Sequence, residues 1–119
     1  KRFSTSWNSW KKILKQNYFE NVFVVENGED ALKMAQQEKY DLIIMDMQMP
    51  LMNGFEATEK IRSTDSSKNK ETPIIALVAF AMKGDRERCL EAGCNDYIPK
   101  PLYSKEFIDK VRYYLGITI

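Results

Sequence analysis

The sequence has 119 residues, 44% hydrophobic and 29% charged, enough for one compact domain around one core and too few for two. Eighteen Lys and Arg against 17 Asp and Glu leave a net charge of +1, and the absence of any long like-charge block argues against a nucleic-acid-binding face. No apolar run approaches the ~20 residues that span a bilayer, and Lys1-Arg2 is followed by Ser, Thr and Asn where a signal peptide would be apolar, so a cytoplasmic domain without membrane contact is expected.

In chain order, Phe3, Trp7, Trp10 and Leu14 fall at i, i+4, i+7 and i+11 and predict an amphipathic helix, capped by Ser4 or Ser6 and ended at Asn17. A short strand competes for its start, because Phe3, Thr5 and Trp7 also alternate; the longer stripe favours the helix. Val22 to Val25 is a short apolar, β-branched run of the kind found in strands covered on both faces. Asn27-Gly28 turns the chain into a helix from Glu29 to about Gln37, with acidic residues in its first turn and Ala31, Leu32 and Ala35 inward. Leu42 to Met45 is the next buried strand and delivers Asp46 at its carboxyl end.

A helix is expected from Phe55 to about Arg62, followed by an exposed polar connection from Ser63 to Thr72. Ile74 to Val78 reads as a strand, and Gly84-Asp85 opens a helix that Gly93 closes. Asp96-Tyr97-Ile98 is a last strand whose Pro99 argues for a sheet edge. Ser104 caps a final helix buried through Phe107, Ile108, Val111 and Leu115, with Gly116 after its end. Strands alternating with such helices predict an α/β fold, a parallel sheet with helices on both faces, and a site at the carboxyl ends of the strands near Asp46, Val78 and Lys100.

The chain has no histidine, so neither Ser-His-Asp or Cys-His catalysis nor a His-ligated zinc site can be assembled from it. Cys89 and Cys94 are too few and too close to staple a chain of this length, and are read as reduced. Met45, Met47, Met49, Met52 and Met82 read as packing, not as soft-metal ligands.

Three stretches carry a resemblance: Tyr40 through Pro50 with Asn53-Gly54, Pro73 through Leu77, and Lys100-Pro101. In this order and spacing the sequence resembles the receiver domains of two-component response regulators and hybrid sensor kinases, over nearly its whole length. The resemblance implies a flavodoxin-like doubly wound sheet of strand order 2-1-3-4-5. It implies that Asp46 accepts a phosphoryl group from a partner's phosphohistidine and that Lys100 neutralises a phosphoryl oxygen. Pro101 would follow a cis peptide that aims the lysine. Tyr97 would move inward on phosphorylation. Asp46 and the backbone carbonyl of Gln48 would be ligands of Mg²⁺. The implied partner is a histidine kinase or phosphotransfer protein, with a second copy of the chain as another candidate. The domain would catalyse no more than its own phosphorylation, and the segments Met47–Gly54 and Ala79–Asp85 resemble receivers of hybrid kinases more than those of transcription factors.

Two departures stand out. The metal-binding acidic pair of receivers lies at the end of strand 1, roughly forty-four positions before the phosphoacceptor, a place that falls here on Lys1 and Arg2. The pair is missing, and the reading is of a single domain over 1–119, N-terminally incomplete, with strand 1 absent. The empty slot between Val22–Val25 and Leu42–Met45 would then be filled from outside the sequence, by a swapped copy, or by direct pairing of its neighbours. The second departure is Val78, where receivers carry Thr or Ser; valine keeps the shape and loses the hydroxyl.

A competing reading is a pseudo-receiver, an interaction module that is never phosphorylated, favoured by Lys1-Arg2 and Val78 and opposed by Asp46, Lys100 and Pro101. An aspartate-nucleophile phosphatase would require an acid two residues after Asp46, where Gln48 stands.

Overall fold

A computed structural model describes residues 2–5, 21–24, 27–47, 53–78, 84–99 and 104–116. Its strands are β1 (Arg2–Thr5), β2 (Asn21–Val24), β3 (Leu42–Asp46), β4 (Ile74–Val78) and β5 (Asp96–Pro99). Its helices are α1 (Gly28–Gln37), α2 (Gly54–Ser63), α3 (Asp85–Ala92) and α4 (Ser104–Leu115). All strand pairs are parallel, in the order β2-β1-β3-β4-β5.

This order corrects the expectation of a missing first strand. Arg2–Thr5 fills the slot, with Phe3 level with Val22 on one side and Leu42 on the other. The predicted helix therefore does not include Phe3; its remaining positions, Trp7, Trp10 and Leu14, lie outside the described residues. The strand is only four residues long and reads Arg-Phe-Ser-Thr, too short and too polar to look like the centre of a sheet. Backbone pairing on both sides, which no local pattern reveals, determines its state.

Strands β3 and β4 are buried along their whole length, as expected of central parallel strands. Their alternate residues divide the core in two. On one face Leu42, Ile44, Ile75, Leu77 and Ile98 pack against Phe107, Ile108, Val111 and Leu115 of α4. On the other, Ile43, Met45, Ile74, Ala76 and Val78 pack against Ala31 and Ala35 of α1, Ala57 and Ile61 of α2, and Cys89 of α3.

Local chemistry sets the helix ends. Asn27 and Asn53 cap α1 and α2, each side-chain oxygen accepting the backbone N–H three residues on, at 2.9 Å. Gly84 and Gly93 bracket α3 with φ of 98° and 110°, left-handed values that only glycine adopts without strain.

The segment from Ser63 to Thr72 is exposed at six of its ten positions, as its polarity predicts, but three of its polar residues turn inward: Ser67, Asn69 and Thr72 are buried. The Asn69 amide donates to the carbonyls of Ala35 and Glu38 at 2.7 Å each, and its oxygen accepts from the Tyr40 N–H and the Thr72 hydroxyl at 2.8 and 2.9 Å. Arg62 spans the same end of the sheet, donating to the carbonyls of Asn69, Lys70 and Gly93 and to the Asn95 side chain. A polar run can be interior when its hydrogen bonds are satisfied internally.

Candidate phosphoacceptor site

At the carboxyl edge of the sheet, register brings two of the sequence-predicted residues, Asp46 and Val78, within one residue of each other on neighbouring strands. Asp46 ends β3 beside Leu77 of β4, and Leu77 lies beside Ile98 of β5. One residue further along, Val78 is level with Pro99, after which the sequence continues to Lys100. Asp46 is 7% exposed, in a row where every other residue of β3 is apolar. The Met47 N–H donates to the Leu77 carbonyl at 3.0 Å and carries the β3–β4 pairing one residue past Asp46. Gln48, Lys100 and Pro101, and with Pro101 the expected cis peptide, lie outside the described residues.

Gly54 is a residue of this site to which its sequence position gave no role. Its N–H donates to the Met47 carbonyl at 3.3 Å. A Cβ there would stand 2.5 Å from the Asp46 carbonyl oxygen and 2.8 Å from the Met47 Cα. Only glycine lets α2 begin so close behind the acidic residue. The Thr58 hydroxyl donates to the Gly54 carbonyl at 2.7 Å and steadies this first turn.

Val78 is buried, and its apolar side chain belongs to the α1–α3 core face. Tyr97 is half-buried and packs against the same face. Its backbone is held from α4: Lys110 Nζ donates to the Tyr97 carbonyl at 3.3 Å and to Asp96 Oδ1 at 2.8 Å. Burial raises the Asp96 carboxyl, but the Lys110 bond, the Tyr97 N–H and the Lys110 charge together hold it below its ordinary value.

Magnesium requires a near-octahedral oxygen shell. β1 supplies Arg2, Phe3, Ser4 and Thr5, and the first acidic residue of the chain is Glu20. Counting had placed the acidic pair's position at Lys1 and Arg2; the register corrects this, since Arg2 opens β1 and its carboxyl end is Thr5, level with Ile44. Moving the position does not restore the acids. Among the described residues no group of three His, Cys, Asp or Glu side chains could hold a metal. The donor set does not fit a receiver-type magnesium site with an acidic pair.

Residues 4–112 match the response regulator receiver domain family. The chain belongs to that family. It is a receiver domain of two-component signalling. It is 47% identical over 93 residues to the hybrid signal transduction histidine kinase G of Dictyostelium discoideum, covering 78% of this chain and 3% of that protein. It is 43% identical over 90 residues to the polar-differentiation response regulator DivK of Brucella anthropi, covering 76% of this chain and 72% of that one.

Among solved structures, this receiver is similar to the receiver domain of a sensor histidine kinase from Pseudomonas aeruginosa, with a TM-score of 0.81, 34% identity, and 96% and 95% of the two chains covered. That structure holds a magnesium ion in its active site cleft. It also shares its fold with a Saccharomyces cerevisiae response regulator receiver co-crystallised with a histidine phosphotransfer protein, at a TM-score of 0.81 and 24% identity, with 96% and 87% of the chains covered. Among the described residues no helix is long and apolar enough to cross a membrane.

Proposed function

We propose that Asp46 is the phosphoacceptor of this receiver and that a phosphohistidine of a cytoplasmic histidine kinase or phosphotransfer protein is the donor. The observation that carries this reading is the placement of Asp46 as the one acidic residue of an otherwise apolar β3, at the carboxyl edge where the ends of β4 and β5 converge. A carboxylate oxygen attacks phosphorus, the O–P bond forms as the donor's N–P bond breaks, and the departing imidazole keeps the bonding pair and takes a proton. The transition state spreads charge over three equatorial oxygens, and Lys100 is assigned to neutralise one of them. Pro101 is assigned the turn that aims Lys100.

Val78 cannot donate a hydrogen bond to the acyl phosphate, so coupling between phosphorylation and Tyr97 is weak. No step is assigned to magnesium.

The test is incorporation of labelled phosphate from acetyl phosphate or a phosphohistidine donor. Labelling is expected to be slow, to depend only weakly on Mg²⁺, and to disappear in Asp46→Asn. Label surviving in Asp46→Asn would refute the assignment. Strong Mg²⁺-dependent labelling would refute the metal argument. A wild-type chain that binds a phosphotransfer protein but never takes label would be an interaction module instead.

A further inference from the structure

The two cysteines of the chain are placed together by the way α3 ends. The Gly93 N–H donates to the Leu90 carbonyl at 3.1 Å, and the Cys94 N–H donates to the Cys89 carbonyl at 3.0 Å. With Gly93 at φ 110°, this is the Schellman arrangement, which characteristically brings the side chain two residues past the helix cap against the one a turn back. In most proteins that contact is between two apolar groups. Here the two side chains are both thiols, buried in the same core cluster and not joined by a disulfide.

We propose that Cys89 and Cys94 form an oxidisable dithiol pair that closes to an internal disulfide across the end of α3. Three features support it. The surroundings favour a thiolate at Cys94: the neighbouring Cys89 thiol and the Arg62 charge lower its pKa against the opposing effect of burial. Both thiols are buried, Cys89 at 1% and Cys94 at 5% exposed, but they lie at a helix end, where local opening is easiest. Finally, the link would join α3 to the approach to β5, whose first residue is Asp96, so the oxidation state of the pair would set how firmly that junction is held.

The oxidant is a peroxide. The Cys94 thiolate attacks one peroxide oxygen, an S–O bond forms as the O–O bond breaks, and the released hydroxide takes up a proton to become water. The Cys89 sulfur then attacks Cys94 sulfur; the S–S bond forms, the S–O bond breaks, and the hydroxide leaves with the Cys89 proton as a second water. Two thiols are oxidised by two electrons and one peroxide is reduced to two waters.

The experiment treats the folded 119-residue chain with hydrogen peroxide and then cleaves it after Glu91, which lies between the cysteines. The expected result is one disulfide per chain: fragments that stay joined until dithiothreitol is added. In Cys89→Ser a sulfenic acid at Cys94 should be trapped by dimedone, whereas Cys94→Ser should give no adduct; circular dichroism verifies that both variants are folded. Thiols that react only in urea, disulfides between chains, or direct over-oxidation to sulfinic acid would each overturn the proposal.

Discussion

At the level of single residues, what a side chain lacks is as informative as what it offers. Val78 occupies its place at the end of β4 with a buried apolar group, and a threonine there would differ by one hydroxyl in nearly the same volume. Val78→Thr should therefore cost about 1 kcal/mol of stability or somewhat more, since the hydroxyl enters an apolar cluster. In exchange it should strengthen the response of Tyr97 to a phosphoryl analogue such as beryllofluoride. Tyrosine NMR shifts or fluorescence, compared between Val and Thr proteins, check this; equal responses would remove the hydroxyl from the coupling. Tyr97 was marked only by the resemblance, whereas the positions of Asp46 and Val78 were legible in the sequence because each closes an apolar strand that announces itself. Gly54 was not, since its importance is the 2.5 Å approach of a Cβ to the Asp46 carbonyl, a relation between elements that sequence does not display. The link between Cys89 and Cys94 was hidden for the same reason: a spacing of five residues says nothing until a left-handed glycine turns one thiol onto the other.

Among the elements, β3, β4 and the four described helices lie within a residue or two of where the sequence predicts them, because their cues are local: the Asn27-Gly28 turn, the Gly84–Gly93 bracket and the apolar stripe of α4. β1 failed this test because its four residues carry no strong cue and a longer helical stripe overlapped it. The junction of β5 with α4 allows an element-scale prediction. Asp96 takes Lys110 Nζ on one oxygen at 2.8 Å and the Tyr114 hydroxyl on the other at 3.1 Å. Burial, then the charge and hydrogen bond of Asp96, push the Tyr114 phenol up to about 12 from its ordinary 10.0. A folded-state pKa raised in this way contributes stability that is present below pH 10.0 and lost as pH rises through about 12. Asp96 is shifted in the opposite direction, so its contribution is present above the ordinary carboxylate value and lost as pH falls through the lower folded one. The fastening of α4 thus weakens at both extremes. Tyr114→Phe should unfold less steeply than wild type between pH 10 and 12, and Lys110→Met should begin acid unfolding at a higher pH than wild type. Circular dichroism across both ranges checks each arm.

On the scale of the whole molecule, the two edges of the sheet are built from different materials. The carboxyl edge places Asp46 at the end of an otherwise apolar strand, close to the start of α2, and the amino edge is fastened by a buried polar hub. Asn69 is fully buried, yet all of its amide groups are used, and it joins the end of α1, the approach to β3 and the approach to β4. Arg62, partly buried and donating to Gly93 and Asn95, extends the same hub to the approach to β5. Asn69→Ala would take an acceptor from the Tyr40 N–H and a donor from the Glu38 carbonyl, at about 1–3 kcal/mol for each group that water cannot reach, while the Thr72 hydroxyl keeps the Tyr40 carbonyl and the Ala35 carbonyl keeps the Lys68 N–H. With part of that recovered by solvent at the end of α1, the net loss should be about 3–5 kcal/mol, a large share of the roughly 5–15 kcal/mol available to a domain of this kind. Because the hub lies at the opposite edge from Asp46, the damage should be to stability and not to chemistry. Below its lowered melting temperature, Asn69→Ala should accept phosphoryl groups at the wild-type rate, whereas Asp46→Asn should keep wild-type stability within about 1 kcal/mol and lose the label. Urea unfolding and phosphate incorporation measured on both variants separate the two edges; an Asn69→Ala protein that is fully folded yet fails to take label would show that the amino edge shapes the phosphoacceptor site after all.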